Sequence, residues 1–223
     1  MLEKAEQGWE ALGLPLLWAE LFYQEGAYQE ALARYTALAA HDPSNARTAT
    51  GAGLAALKLS KLEDACHWLG HATSLANAGS KAWNGLGICL DHKKDWAASE
   101  AAYKRALHIS ASGAIWNNYG YSLLLQQRYE EAADAFGRAS ADARVRSKAA
   151  LNLEIAEALK GATPKRRQGE RSADWARRLN NAGYAAWLHG DPAAAKTLLV
   201  EALKVSDVHF AKAEANLRLV ENR

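Results

Sequence analysis

The sequence of 223 residues has few of the residues that break helices or build strands. It contains only four prolines, and runs of β-branched residues are nearly absent, whereas alanine is abundant. Because alanine has the highest helix propensity and proline the lowest, most windows of the chain favour helix. With 49% apolar and 23% charged residues, the composition is that of a folded protein. The sequence therefore predicts an all-α fold.

Long apolar segments and an excess of one charge are also missing. No stretch approaches the roughly 18 consecutive apolar residues of a membrane-spanning helix, and residues 1–6 are too acidic to begin a signal peptide. The net charge is +2, from 27 basic and 25 acidic residues, so no global field attracts nucleic acid or an anionic membrane. We expect no nucleic-acid partner, and membrane association only through a lipid anchor that this chain does not contain.

Motifs for catalysis or cofactor binding are absent from the sequence. It has no P-loop, HExxH, GxGxxG, nucleophile elbow or kinase phrase. Cys66 and Cys89 are too few for a disulfide framework, and both lie in apolar helical patterns where a thiol serves as a small core residue. His67 and His71 have the spacing of a metal site without an evident third ligand, which favours surface or packing roles. We expect no enzyme activity, no cofactor and no metal.

A repeat with a period near 34 residues is the main signal in the chain. Ala65 lies 34 residues after Ala31, and Leu69 lies 34 residues after Tyr35. Each repeat also has a small residue directly after an apolar one, at Ala19, Gly53, Gly87 and Gly120. Small residues at these positions let two antiparallel helices approach closely, and the large residues fill the remaining space.

This pattern resembles the tetratricopeptide repeat. The resemblance implies a right-handed superhelical solenoid of helix-turn-helix units whose neighbours bury one another's apolar sides. We predict a single solenoid over residues 1–223. Its repeats lie near 12–45, 46–78, 79–112, 113–146 and 172–208, with a degenerate repeat at 147–171 and a capping helix at 209–221.

The degenerate repeat begins with a helical pattern at 149–160, which Gly161 and Pro164 interrupt. A basic segment follows, and Ser172 is predicted to be the N-cap of the next helix. Asp191 and Pro192 are the predicted cap and first residue of the helix after that. The second helix of this repeat is therefore expected to be degenerate.

Several phrases make a narrower resemblance. They are Asn-Gly-Leu-Gly-Ile-Cys-Leu-Asp at 84–91, Tyr-Lys-Arg-Ala-Leu at 103–107, Asn-Asn-Tyr-Gly-Tyr-Ser-Leu at 117–123, and Ala-Leu-Lys-Gly at 158–161. This wording resembles the TadD-type proteins of tight-adherence (Flp) pilus assembly. The resemblance implies a lipoprotein on the periplasmic side of the outer membrane whose partner is the pilus secretin or another pilus component. The chain contains no lipobox cysteine before the first repeat, and a cytosolic scaffold or co-chaperone-like adaptor is the alternative.

Asparagines recur where packing alone does not require them, since residues 117–121 and 180–184 share an Asn-Asn-x-Gly-Tyr phrase at a separation of 63. We predict that inner-helix asparagines line a concave groove and bond a peptide backbone, with large side chains as anchors. The predicted peptide-binding residues are Asn84, Ile88, Asn117, Asn118, Tyr121, Asn152, Asn180, Asn181, Tyr184, Trp187 and Asn216. The alternative is that the amides bond helix to helix within the solenoid.

Two further features bear on the partner. The groove positions of a carboxylate clamp hold Leu16 and Glu20 in the first repeat, and Gly51 replaces the next asparagine, so a chaperone-tail receptor of that kind is rejected. A possible basic patch consists of Arg144, Arg146, Lys165, Arg166, Arg167 and Arg171. It either meets an acidic partner, lipid headgroups or nucleic acid, or is a solvated loop, and the loop is favoured.

Overall fold

The computed structural model describes residues 14–161 and 163–222, in which twelve α-helices and no strands occur. The chain forms two compact units, residues 1–122 and 123–223, and the boundary falls within the seventh helix. The prediction that the repeats form one continuous solenoid stays a prediction. None of the helices in the described part of the chain is long and apolar enough to cross a membrane.

Unit 1 is built from helices joined by short turns. They are α1 (Leu14–Gln24), α2 (Tyr28–His41), α3 (Ala46–Lys58), α4 (Leu62–Ser74), α5 (Ser80–His92), α6 (Trp96–Ile109) and the first part of α7 (Gly113–Leu125). Each of the first five helices contacts the next, and α3 also contacts α1 and α5. The helices α1, α3 and α5 therefore lie side by side, and we call their common surface the α1/α3/α5 face.

Small residues set the distance between helices in unit 1. A Cβ atom on Gly53 of α3 would lie 2.5 Å from Cγ of Leu69, and one on Gly87 of α5 would lie 2.8 Å from the ring of Tyr103. Ala19, Ala31 and Ala65 are also fully buried. The close approach of helices that the repeat pattern predicts is thus present in the packing.

The turn inside each helical hairpin of unit 1 has one residue with a left-handed backbone. Gly26, Ser60 and Lys94 occupy this position, with φ values of 81°, 58° and 59°. Only Gly26 adopts such a φ without steric cost, because side chains with a Cβ disfavour the left-handed region. The register of the repeat is therefore visible in the backbone as well as in the apolar pattern.

A buried carboxylate at Asp91 joins three helices of unit 1. Tyr103 of α6 donates to its Oδ2 atom at 2.8 Å, and Ser122 of α7 donates to its Oδ1 atom at 2.6 Å. Ser99 of α6 donates to the same Oδ1 atom. Burial, followed by the Asp91 charge and hydrogen bond, raises the pKa of Tyr103, so its hydroxyl stays a donor. The sequence pattern did not reveal this network.

Unit 2 contains the end of α7 and five further helices. They are α8 (Tyr129–Ala139), α9 (Arg146–Leu159), α10 (Ser172–Leu188), α11 (Pro192–Val205) and α12 (Ala211–Glu221). The helix α10 contacts α9, α11 and α12. The core of unit 2 includes the buried residues Trp175, Leu179, Ala202 and Ala213. A second cluster in the same unit contains Ala195, Leu199 and Val220.

The segment between α9 and α10 is not helical in the described residues 163–171. Gly161, with φ of 85°, ends α9. The prediction that Ser172 caps α10 is wrong, because Arg171 holds the extended cap conformation and Ser172 is already the first helical residue. Asp191 accepts a hydrogen bond from the Ala194 N–H at 2.9 Å, so the predicted cap of α11 is confirmed.

Candidate functional site

The α1/α3/α5 face contains a cavity of about 550 Å³, which we call the Gly51 cavity. Its walls come from α1, α3, the first turn of α5 and the loop before α5, and Tyr35 of α2 also lines it. The lining includes Glu20, Tyr23, Tyr35, Arg47, Thr50, Gly51, Leu54, Ser80 and Lys81. The cavity lies wholly within unit 1.

Gly51 and Tyr35 shape this cavity. A Cβ atom on Gly51 would lie 2.3 Å from Cε1 of Tyr35, so only glycine lets the tyrosine ring lie against the backbone of α3. Tyr35 is 4% exposed. The absence of a side chain at position 51, which the sequence showed only as a departure from the asparagine pattern, therefore makes room for the Tyr35 ring in the wall of the cavity.

Charged groups surround the opening of the cavity. Arg47 donates from Nε and Nη2 to the two carboxylate oxygens of Glu20, at 2.7 and 2.8 Å. Lys81 makes no ion pair with any residue in the ranges 14–161 and 163–222. Burial, then the Glu20 charge, raises the pKa of Tyr35 to about 12 against a smaller opposing effect of Arg47. The Tyr35 hydroxyl is therefore a neutral donor at physiological pH.

The predicted asparagines of unit 1 form contacts between helices. Asn118 of α7 donates from Nδ2 to Oδ1 of Asn84 on α5, at 3.1 Å. Asn117 is 4% exposed, whereas Tyr121 on the same helix is 52% exposed. Ile88 is half-buried on α5. Of this set, Tyr121 is the side chain that presents the largest exposed fraction to solvent.

The asparagines of unit 2 follow the same arrangement. Asn216 of α12 donates to Oδ1 of Asn180 on α10 at 2.8 Å, and Asn180 donates to Oδ1 of Asn181 at 3.4 Å. Asn180 is 1% exposed, and Asn152 is half-buried on α9. On the same α10 helix, the rings of Tyr184 and Trp187 stack with centroids 5.6 Å apart.

These bonds describe how the amides are used in the free protein. Asn84, Asn118, Asn180 and Asn216 bond helix to helix, as the alternative interpretation of the repeat expects. A buried amide must be hydrogen-bonded, so a peptide would have to replace these partners to bind there. The role of the asparagines in ligand binding stays a prediction.

Ion pairs neutralise much of the predicted basic patch. Arg144 pairs with Asp142 at 2.8 Å, and Arg146 donates to the Ser140 carbonyl at 3.1 Å. Arg171 pairs with Asp174 at 2.8 Å, and Arg167 lies 3.7 Å from a carboxylate oxygen of Glu154. Arg166 donates to the Glu170 carbonyl, and Lys165 is exposed. The segment 163–171 is thus an ordered loop held by α9 and α10.

Glu170 and Arg178 are the central pair of this loop. Arg178 donates from Nη1 to the two Glu170 carboxylate oxygens at 3.0 and 3.1 Å and to the Lys165 carbonyl at 3.2 Å. The Glu170 side chain is only 6% exposed. Its burial raises the carboxyl pKa, but the Arg167 N–H and the Arg178 guanidinium outweigh that effect and hold the pKa below its usual value.

Arg178→Ala is expected to release this loop while α10 stays folded. Because the folded-state pKa of Glu170 is depressed, its contribution is complete above the usual glutamate pKa, about 4.3, and is lost as pH falls through the lower folded value. At pH 7 we expect the Arg167 amide, which donates to Glu170 at 2.9 Å, to exchange about tenfold faster in the variant. Hydrogen exchange measures this, with the exposed Arg144→Ala as a matched control. Equal exchange in both variants would contradict the assignment.

The thiols and histidines lie apart from the Gly51 cavity. Cys89 is fully buried and Cys66 is half-buried, and both are free thiols. Burial, assisted by the neighbouring Cys66, raises the pKa of Cys89. His71 lies with Nε2 2.8 Å from the Pro43 carbonyl. Within residues 14–161 and 163–222, no three histidine, cysteine or acidic side chains are grouped as metal ligands.

Comparison with known proteins agrees with the helical architecture. The profile of the tetratricopeptide repeat family matches residues 16–69 and 72–114. This part of the chain carries tetratricopeptide repeats. The matched residues span α1 to α6 and include the Gly51 cavity. No curated protein matches the chain in sequence.

Solved structures share the fold at low sequence identity. PilF of Pseudomonas aeruginosa has a TM-score of 0.62 at 13% identity, covering 96% of this chain and 97% of that one. YrrB, described as a TPR protein with an unusual peptide-binding site, has a TM-score of 0.53 at 17% identity, covering 91% and 90%. In the APC/C heterotetramer Cut9–Hcn1, the TM-score is 0.60 at 15% identity, covering 93% of this chain and 42% of the other. The prediction of an all-α tetratricopeptide fold is confirmed.

Sequence reasoning did not identify the residues of the Gly51 cavity as a site. Gly51 was noted only for lacking the asparagine found in later repeats, and Tyr35 only as a large packing residue. Nothing in the sequence marked Arg47 and Lys81 as residues of a binding site, because isolated cations on helix surfaces are common. The interruption of the asparagine pattern at position 51 is the sequence signal that could have indicated the cavity.

Proposed function

We propose that this protein is a non-enzymatic adaptor that binds an extended segment of a partner protein along the α1/α3/α5 face. The observation that carries the proposal is the Gly51 cavity, which lies on three adjacent helices of the tetratricopeptide part of the chain. A cleft of this size accepts one or two side chains of a polypeptide. Helices that contact one another laterally supply a continuous surface for the rest of the segment.

Polar and apolar groups are combined on this face in a way that suits a polypeptide. Tyr23, Gln24, Asn77 and Ser80 can pair with backbone groups of a ligand, and Leu54 contributes apolar surface. Each backbone hydrogen bond contributes about 0.5–1.5 kcal/mol net, while ordering each ligand residue costs about 1–2 kcal/mol. Affinity therefore depends on side chains that enter the cavity.

The partner that we propose is the secretin of a tight-adherence pilus, or another component of that assembly, on the periplasmic side of the outer membrane. Support comes from the TadD-type phrases at 84–91, 103–107 and 117–123. The similarity to PilF concerns the fold. An adaptor of this kind needs no reactive group, which agrees with a site that consists of donors, acceptors and apolar surface.

A pull-down with purified secretin fragments tests the proposal, and two threonine variants locate the binding face. Thr50 lines the cavity and Thr36 lies on α2 outside it, and each donates to a backbone carbonyl of its own helix. We expect Thr50→Arg to fill the cavity and weaken binding at least about tenfold, whereas Thr36→Arg leaves it unchanged. Equal binding by both variants would place the site elsewhere. Failure of every secretin fragment to bind the wild-type chain would remove the pilus assignment.

A further inference from the structure

We propose that the Gly51 cavity is a specificity subsite for an acidic side chain, aspartate or glutamate, within the segment that the adaptor binds. The inference rests on the proposed function and adds the chemistry of the partner. The carboxylate that we propose belongs to a side chain within the bound segment and not to a chain terminus. The observations that carry it are a hydroxyl without a hydrogen bond on the buried Tyr35 side chain, an uncapped helix start and the arrangement of charges around the cavity.

The hydroxyl belongs to Tyr35. This side chain is more than nine-tenths buried, it lines the cavity, and its hydroxyl makes no hydrogen bond to any residue that the structure describes. Its ring is buried, whereas its oxygen is not among the fully buried polar atoms that lack a hydrogen-bond partner, so the hydroxyl is accessible from the cavity. Because Tyr35 lines the cavity, an acceptor on a ligand side chain there can receive this hydrogen bond.

The second source of donors is the start of α5. Gly79 is the N-cap and supplies no side-chain hydrogen bond, so the N–H groups of Ser80 and Lys81 have no acceptor within the helix. Both residues line the cavity. The positive end of a helix dipole favours an anion at this position, and the exposed Lys81 ammonium adds a full charge beside it.

The acidic residue of the cavity does not reverse this preference. Arg47 holds both Glu20 oxygens in a two-point hydrogen bond, which offsets part of the Glu20 charge, and Lys81 adds a second cation, so the three charged side chains of the cavity sum to +1. A cationic ligand side chain would meet Arg47, Lys81 and the start of α5. An anionic side chain would meet the Tyr35 hydroxyl, the free N–H groups at the start of α5 and the Lys81 ammonium. These donors and charges favour aspartate or glutamate.

A displayed library of random twelve-residue segments, held at both ends so that no terminal carboxylate is free, is a suitable probe for the full chain. We expect the enriched sequences to share an aspartate or glutamate at one position. A selected peptide, synthesised with acetylated and amidated ends, is then titrated by calorimetry beside its Asp→Asn or Glu→Gln counterpart. We expect the neutral counterpart to bind about tenfold more weakly.

Variants of the protein assign the effect to the cavity. The Tyr35 hydroxyl has no hydrogen bond within the described residues, so Tyr35→Phe is expected to keep the midpoint of thermal unfolding. We expect the variant to bind the acidic peptide about tenfold more weakly. The matched control is Tyr103→Phe, which loses a bond to Asp91 away from the cavity, and we expect it to lower the midpoint with unchanged affinity. Lys81→Gln is expected to weaken binding about threefold, and Lys93→Gln, at the C-cap of the same helix and outside the cavity, is expected to have no effect.

Three results would overturn the inference. They are enrichment of basic or purely apolar segments, equal affinity for the acidic peptide and its neutral counterpart, and unchanged affinity in a folded Tyr35→Phe variant. In each case the selected peptides could still compete with the secretin fragment, and their binding could still be abolished by Thr50→Arg. The proposed function would then stand. Failure of the secretin pull-down, conversely, does not alter the result expected from the library.

Discussion

Asp91→Ala is expected to lower the free energy of unfolding of unit 1 by about 2–3 kcal/mol, because three buried hydroxyl groups lose their bonds to one carboxylate at once, although Ser99 can still donate to the Gly87 carbonyl at 3.2 Å. Ser99 and Ser122 are fully buried and Tyr103 is 1% exposed, so water cannot replace the carboxylate without opening the packing. The network ties α5 to α6 and α7. Its loss should therefore affect the stability of the unit rather than one helix end.

Asp91→Asn separates the hydrogen bonds from the charge. The amide Oδ1 can still accept from the serines, and its Nδ2 can donate to the Tyr103 oxygen, so we expect a loss of only about 1 kcal/mol. The exposed Asp64→Ala serves as a surface control, expected to lie within about 0.5 kcal/mol of the wild type. Urea unfolding followed by tryptophan fluorescence measures all three. Equal stabilities of Asp91→Ala and Asp64→Ala would contradict the role of the network.

Gly53→Ala is expected to destabilise unit 1 by about 1–3 kcal/mol, even though alanine is the better helix former. The added methyl group would lie 2.5 Å from Cγ of Leu69, which is itself fully buried and cannot move without displacing its neighbours. The substitution therefore forces α3 and α4 apart. The expected effect has the opposite sign to that predicted from helix propensity alone.

Gly70→Ala provides the matched comparison in the adjoining helix. Apart from its chain neighbours and the nearby backbone of its own helix, no atom of the described residues lies within 4 Å of the position that its Cβ would occupy. Replacing glycine inside a helix then reduces the entropy of the unfolded chain, and we expect a gain of about 0.5–1 kcal/mol. The same urea titration compares the two variants. A stabilising Gly53→Ala would show that close helix approach is not what this glycine provides.

Much of the fold could be predicted because its determinants are local or periodic. The spacing of Ala31, Ala65, Tyr35 and Leu69 fixed which residues are buried, and all four are buried in the structure. Asp191 and Pro192 marked the start of α11 correctly. At Ser172 the prediction was wrong by one residue, because the cap conformation belongs to Arg171 and backbone conformation is not encoded by residue type alone.

The candidate site was less accessible to sequence reasoning. Asparagines that recur at Asn118 and Asn181 are equally suitable for binding a peptide and for bonding a neighbouring helix, since a carboxamide both donates and accepts. Asp91 resembled any polar residue near a helix end. Its burial depends on Tyr103, Ser99 and Ser122 converging from other helices, which no spacing in one helix indicates.

The sequence by itself determined that this protein is a set of helical hairpins with tetratricopeptide spacing, because periodic burial and small residues are properties of each repeat. Only the tertiary structure decided that the Tyr35 ring packs against Gly51 in the wall of a cavity, that Arg47 binds Glu20, and that the basic loop is held by Glu170 and Arg178. These features arise from side chains on different helices. Their distances depend on how the helices pack, and a residue's type does not specify its neighbour in space.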